Sequence, residues 1–476
     1  MSAGADAGFG AITPWRLRFP KDLRLIPRFE TYPSVVSFAQ TVPGKLALIA
    51  IFGVGFYSNP YWLPLLTLLV LTTALPAYRR ILLTFGALLW PFVISWRVAT
   101  PSQLIDTALV LIFAGLMFDA AIRFPHSWFG RRPIVSFLGG FGVSVLVVSY
   151  LPSGGRIHFE LWQFLTILSL YIWFIGYSLL DCTSKGRDDF ALQLGTYEPF
   201  WMQVSLYPPL PCLKGARYLR RIESKDSEQL AIAQIKGAKL LVWSFVLSVL
   251  LKVLVRIVHG YLGIPTYPEM LAFSVHRVPF PWFTGLASLI SEFLENLLRV
   301  SVLGHRIVAC CRMAGFLALR NTYRPLRSRS VAEFWNRYLY YFKELLVDFF
   351  FYPTFMRYFK RWPRLRLFAA TFAAACLGNM FFHFFLQMGD IEKFGFWKTL
   401  AGFNVFMFYT IVLAIGIGIS QLREPQEKSG WFRGQLVPSI CVAGFFCILR
   451  VFDYGSTSPP IQEHFRFLAH IFNLVS

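Results

Sequence analysis

Long apolar runs separated by short polar interruptions fill most of this chain. They lie near 45–58, 61–76, 81–96, 103–121, 133–151 and 160–180, then near 237–258, 282–303, 367–388, 398–420 and 435–451. A bilayer core about 30 Å thick needs roughly 20 apolar helical residues to cross it. The pattern therefore predicts an all-α polytopic membrane protein. Several runs fall short of a full span, which predicts tilted, paired or re-entrant segments among them. The expectation is about ten to twelve transmembrane or re-entrant helices around a central tunnel, with amphipathic helices at the cytoplasmic face.

The polar interruptions divide the chain into a basic N-terminal segment (1–44), N-terminal membrane helices (45–181), a long polar segment (182–236) and a C-terminal core (237–476). Arg16, Arg18, Lys21, Arg24 and Arg28 precede the first run; Arg79 and Arg80, Arg131 and Arg132, and the 182–236 segment then follow at every second loop. Cations accumulate in cytoplasmic loops, so the N-terminus is read as cytoplasmic, together with 182–236 and the cation-rich 304–366. Within the polar segment, "PPLPCLKG" breaks any helix at its prolines. "ESKDSEQLAIAQIKGAKLL" reads as an interfacial helix capped by Ser224 or Asp226.

Composition supports this picture. Hydrophobic residues make up 56% of the 476 and charged residues only 15%, against about 25% in soluble chains. The formal net charge of +21 suits cytoplasmic loops meeting anionic headgroups, and no nucleic-acid-binding motif accompanies it. The seven cysteines are scattered without a CxxC or any Cys/His ligand spacing, which indicates neither a disulfide framework nor a metal site. The first residues lack the apolar core of a cleavable signal peptide, so insertion is expected to rely on the first spanning helix.

Candidate chemistry begins at "LGNMFFHFFLQM". Residues four apart share a helix face, so Asn379, His383 and Gln387 form a polar line on an otherwise apolar helix within 367–388. Polar side chains in lipid need partners or a cavity, and intramembrane ionisable groups default to a functional reading. A hydrogen-bonded seam between helices is the structural alternative. A neutral imidazole in such a place suits general-base work. A second candidate stretch spans 321–355, where Ser330 and Glu333 form a capping box for "VAEFWNRYLYYFKELL". Taken alone, it reads as an amphipathic helix at the membrane surface.

The two stretches together resemble the membrane-bound O-acyltransferase family. Asn321, Pro325, Ser330, Glu333, Phe334, Trp335 and Arg337 follow its signature spacing, Asp348 and Pro353 fit the next part, and His383 stands where the family places a single downstream histidine. The match covers roughly 320–390. Asp348 and Pro353 are similar to the bacterial alginate-acetylase and D-alanyl-transfer branches, but Tyr338 and Leu339 replace their Trp-His pair. Asn336 is instead similar to the asparagine of the sterol and diacylglycerol acyltransferase branches.

The resemblance implies an acyltransferase in a cell membrane, the bacterial inner membrane on the bacterial branches, moving an acyl group from a cytoplasmic thioester (acyl-CoA or an acylated carrier protein) to a hydroxyl of a lipid, polysaccharide or other membrane-associated acceptor. It implies His383 as general base and Asn336 as the group that orients the donor or steadies the oxyanion. Trp335, Arg337, Asp348, Asn379 and Gln387 are expected to bind substrate, with no resident cofactor or metal. Two other classes stay open: a transporter or lipid flippase using the same polar line, with Glu292 and Glu295 among its candidate charges, and a silent relative acting as a scaffold.

Overall fold

The computed structural model describes residues 26–57, 62–95, 101–152, 155–183, 214–422 and 430–472, and the account of the fold is confined to them. Most of the basic N-terminal segment and residues 184–213 of the polar segment, including most of "PPLPCLKG", lie outside. Among the described residues the protein is all-helical, with one isolated bridge between Glu223 and Phe316 and no strand.

This is a multi-pass integral membrane protein. Among the described residues, six helices are long and apolar enough to cross a bilayer: Ile105–Arg123, Arg156–Asp181, Ser227–Tyr261, Pro363–Phe385, Asn404–Leu422 and Phe432–Phe452. The count rises to eight if each of two bent pairs is one span: Pro33–Gln40 with Val42–Phe56, bent by 89°, and Trp62–Ala74 with Pro76–Leu89, bent by 111°. The bends have local causes. Thr41 caps the second helix by accepting from the Gly44 amide at 3.2 Å, and Pro43 sits in its first turn. A Cβ at Gly44 would collide with the Phe38 carbonyl, so the corner requires a glycine. At the other bend Pro76 opens a new turn after Leu75 leaves the helical region.

Two runs fold differently from the simplest expectation. Residues 223–241 do not form a separate interfacial element. Asp226 caps the helix, accepting from the Gln229 amide at 2.7 Å, and Ser227–Val255 then runs unbroken, because nothing between Lys236 and Leu240 interrupts it. Its first half is buried, from Leu230 to Leu241. The 282–303 run belongs to a 32-residue helix, Trp282–Met313, whose Glu292, Glu295, Arg299, Arg306 and Arg312 keep it from being uniformly apolar.

These two helices form the spine. Lipid offers no hydrophobic drive to join helices, so close packing and hydrogen bonds hold them. Gly237 allows the approach: a Cβ there would lie 3.0 Å from the Ala309 carbonyl oxygen. Gln234 donates to Thr73 Oγ1 at 3.0 Å and to the Met313 carbonyl at 3.1 Å. Arg312 donates through Nε and Nη2 to the Ala318 carbonyl and through Nη1 to the Lys236 carbonyl.

Candidate active site

The helix bearing His383 is not a single regular cylinder. Pro363–Phe372 is α-helical, Ala373–Gly378 widens into a π segment, and Asn379–Phe385 returns to α. A second π segment, Val347–Phe351, packs against the first. Gly378 permits this contact, since a Cβ there would sit 2.6 Å from Cδ2 of Phe350. Such π insertions re-aim the turn that follows them and are frequent at functional sites.

The turn re-aimed here faces a cavity of about 330 Å³ between helices. Phe293, Asn296, Val300 and Leu303 come from the Trp282–Met313 helix, and Phe334, Trp335, Tyr338 and Leu339 from the Val331–Tyr338 helix and its C-terminal end. Asn379, Phe382 and His383 supply a third wall; Phe342, Tyr409, Phe446, Arg450 and Asp453 complete it. The volume lies at the small end of the range for ligand sites, and the mostly aromatic lining with a few convergent polar groups is their usual chemistry.

His383 is half-buried, its open side being the cavity. Its ring packs at 4.5 Å from Phe406, 5.3 Å from Phe382 and 5.9 Å from Phe342, centroid to centroid. Asn379, one turn earlier, is 1% exposed, and neither Oδ1 nor Nδ2 has a hydrogen-bond partner among the described residues. Leaving such a buried group unpaired costs about 1–3 kcal/mol, so the amide is built for something the protein itself does not supply. Asn296 Nδ2 donates to the Tyr338 hydroxyl at 3.1 Å. Arg450 donates to Glu292 at 3.0 Å and to Asp453, which ties one guanidinium to two carboxylates.

Of the sequence-predicted site residues, His383, Asn379 and Trp335 meet at this cavity. The others do not. Gln387 falls off the polar line because the helix ends at Phe385; its Oε1 accepts from the Ser456 hydroxyl at 2.9 Å. Asn336 is exposed and outside the lining, since it follows Trp335 by one position and a helix turns about 100° per residue. Arg337 pairs with Glu333 at 2.6 Å. The capping box is half formed: Ser330 accepts from the Glu333 amide, while the Glu333 carboxylate accepts from Arg329 rather than Ser330.

Asp348 belongs to a second, more open pocket of about 460 Å³, lined by Tyr177, Asp181, Lys214, Arg217, Tyr218 and Arg221. There it accepts from the Tyr177 hydroxyl at 2.8 Å and lies 3.3 Å from Lys214, which is also 2.6 Å from Glu344. Burial opposes the charge on Lys214, but Asp348 and Glu344 outweigh it and hold the ammonium above its ordinary range. Burial likewise opposes the charge on Glu344, and Lys343 and Lys214 outweigh it, keeping the carboxyl below its ordinary range.

Sequence reasoning missed Asn296, Tyr338, Tyr409, Arg450 and Asp453 as cavity residues. Only charges inside apolar runs could have signalled them; Arg450 closes the 435–451 run and Glu292 interrupts 282–303. His259 has both ring nitrogens occupied, by the Ile264 carbonyl and Glu295, each at 2.7 Å. Among the described residues no group of three His, Cys, Asp or Glu side chains is placed to hold a metal ion. Compared with models of known protein families and with curated protein sequences, the chain matches none.

Proposed function

We propose that this protein is a membrane O-acyltransferase and that His383 is its general base. One observation carries the reading most: a histidine and a residue with an unpartnered buried amide, one helical turn apart, line the same aromatic-walled cavity inside a membrane protein. The resemblance of 320–390 to the acyltransferase signature supports it, as does the cation-rich stretch 304–366, which suits a cytoplasmic thioester such as acyl-CoA or an acylated carrier. On this reading the N-terminus is cytoplasmic and the membrane is a bacterial inner membrane.

In the reaction, His383 accepts the hydroxyl proton of the acceptor as the hydroxyl oxygen bonds to the thioester carbonyl carbon. The tetrahedral intermediate collapses with cleavage of the C–S bond. The thiolate leaves and takes the proton from the imidazolium, regenerating the base. Apolar walls exclude bulk water, which limits hydrolysis of the thioester and strengthens electrostatic stabilisation within the site. Asn336 lies outside the cavity lining and is assigned no part in this step.

The test uses purified protein in lipid nanodiscs with radiolabelled acetyl-, octanoyl- and palmitoyl-CoA. Labelled ester should form with wild type and not with His383→Ala. Lipid scrambling by proteoliposomes without donor, unchanged in His383→Ala, would favour the flippase reading instead.

A further inference from the structure

We infer that the cavity selects an uncharged polyol as acceptor, a sugar ring or glycerol unit with hydroxyls on adjacent carbons, and rejects anionic groups. The inference rests on the acyltransferase reading for the word acceptor, but its structural basis is independent of the reaction.

The first argument is the hydrogen-bonding valence of Asn379. Its side chain presents an acceptor oxygen and a donor nitrogen, both buried and both unpaired. A phosphate or carboxylate only accepts and would leave Oδ1 orphaned. An ammonium only donates and would leave Nδ2 orphaned. A hydroxyl both donates and accepts, so one or two hydroxyls can satisfy the amide completely. Side chains four apart on a helix have Cβ atoms about 5–6 Å apart. A hydroxyl held by Asn379 can therefore place its neighbour on the adjacent carbon within reach of His383.

The second argument is charge. Arg450 and Asp453 line the cavity, and Arg450 also binds Glu292. This cluster sets one guanidinium against two carboxylates and carries a formal charge of −1. Arg450 is the only cation in the described lining, and it is already held by both carboxylates. An incoming anion would meet net repulsion in a largely aromatic-walled cavity, where charges interact more strongly than in bulk solution. A neutral polyol meets neither penalty.

The experiment measures binding of tritiated octyl glucoside and octyl glucuronide, below their micelle-forming concentrations, to wild-type protein in nanodiscs at pH 7 with no donor present. The two ligands share tail and ring and differ by one carboxylate. Octyl glucoside should bind at least tenfold more tightly, and Asn379→Leu should weaken it about tenfold. Equal affinities, tighter glucuronide binding, or no binding of either ligand to wild type would overturn the inference, and none of these outcomes depends on the variant folding. The assay contains no donor, so it is separate from the chemistry. Selective glucoside binding by a protein that never forms ester would refute the transferase reading and leave the polyol site standing. Ester formation on glucuronide and glucoside alike would do the reverse.

Discussion

Two pockets among the described residues stand on opposite sides of an aromatic partition and treat their polar groups in opposite ways. Trp173 stacks on Phe382, a wall of the histidine cavity, and meets Phe349, which in turn packs on Tyr177 at the charged pocket. In the charged pocket Lys214, Glu344, Asp348 and Tyr177 satisfy one another. In the histidine cavity Asn379 is left without a partner. A closed network is complete without a ligand, whereas an orphaned buried amide stores a cost that only an occupant removes. The difference separates architecture from function where composition alone cannot, since both pockets mix aromatic and polar residues.

The comparison breaks most sharply at His383. Replacing it with alanine should lower ester formation by about 10²–10⁴-fold, the usual contribution of a general base. Membrane insertion and the thermal unfolding midpoint should stay near wild type, because the ring faces a cavity on one side. Turnover of the purified variant at the wild-type rate would remove His383 from the chemistry.

Asn379 should give a split result. Asn379→Leu keeps the branched shape and heavy-atom number of the side chain and removes two unpaired polar atoms, its larger methyl groups growing toward the cavity. The protein should therefore melt at the same temperature or higher, while acceptor turnover falls about tenfold or more. A variant that loses stability would show that the amide is paired in the working protein, and the contrast between the pockets would fail there.

On the other side of the partition the signs reverse. Lys214→Met breaks a half-buried network and removes the cation shared by Glu344 and Asp348. Among the described residues it leaves Glu344 only Lys343 and Asp348 only the Tyr177 hydroxyl, so it should cost about 1–3 kcal/mol of stability, reduced from the fully buried case by residual solvent. The network also has a pH window. Glu344 is held below its ordinary range, so its contribution is present at neutral pH and is lost as the pH falls through its depressed folded value. Lys214 is held above its ordinary range, so its contribution is lost only as the pH rises through that raised value, on the alkaline side. Melting in nanodiscs across pH should show a broad neutral plateau for wild type and a flatter acid limb for Glu344→Gln. The chemistry at His383 should persist in both variants under conditions where they are folded.

How much of this was legible in the sequence follows from what each signal encodes. The apolar runs specify helices and a membrane, because a bilayer imposes length and hydropathy directly. Periodicity also brought Asn379 and His383 to one face, since they share the same short α-helical turn. It misplaced Gln387 because the helix stops two residues before it, and no proline or glycine marks that stop. Arg450 and Asp453 reach the cavity from a helix about 70 residues downstream in sequence, a long-range arrangement that no local pattern records.

The smallest expected effect tests the remaining disagreement between motif and geometry. Asn336 sits in the stretch that resembles the acyltransferase signature, where the family resemblance implies a role beside the histidine. In the fold, Phe334, Trp335 and Tyr338 turn toward the cavity, and Asn336 faces outward and is exposed. An exposed side chain with no part in the lining stabilises neither a developing oxyanion nor a buried acceptor. Asn336→Ala should therefore change kcat by less than about threefold, whereas loss of an oxyanion donor costs about 10²–10³-fold. Under the proposed function, any effect should fall on the apparent affinity for the thioester, because Asn336 is exposed next to the cavity-lining Trp335. Kinetics with octanoyl-CoA, separating kcat from KM, decides between them. A large loss in kcat at unchanged KM would mean that the segment rotates when the donor binds, carrying Asn336 inward, and the cavity lining would then describe the unliganded protein alone.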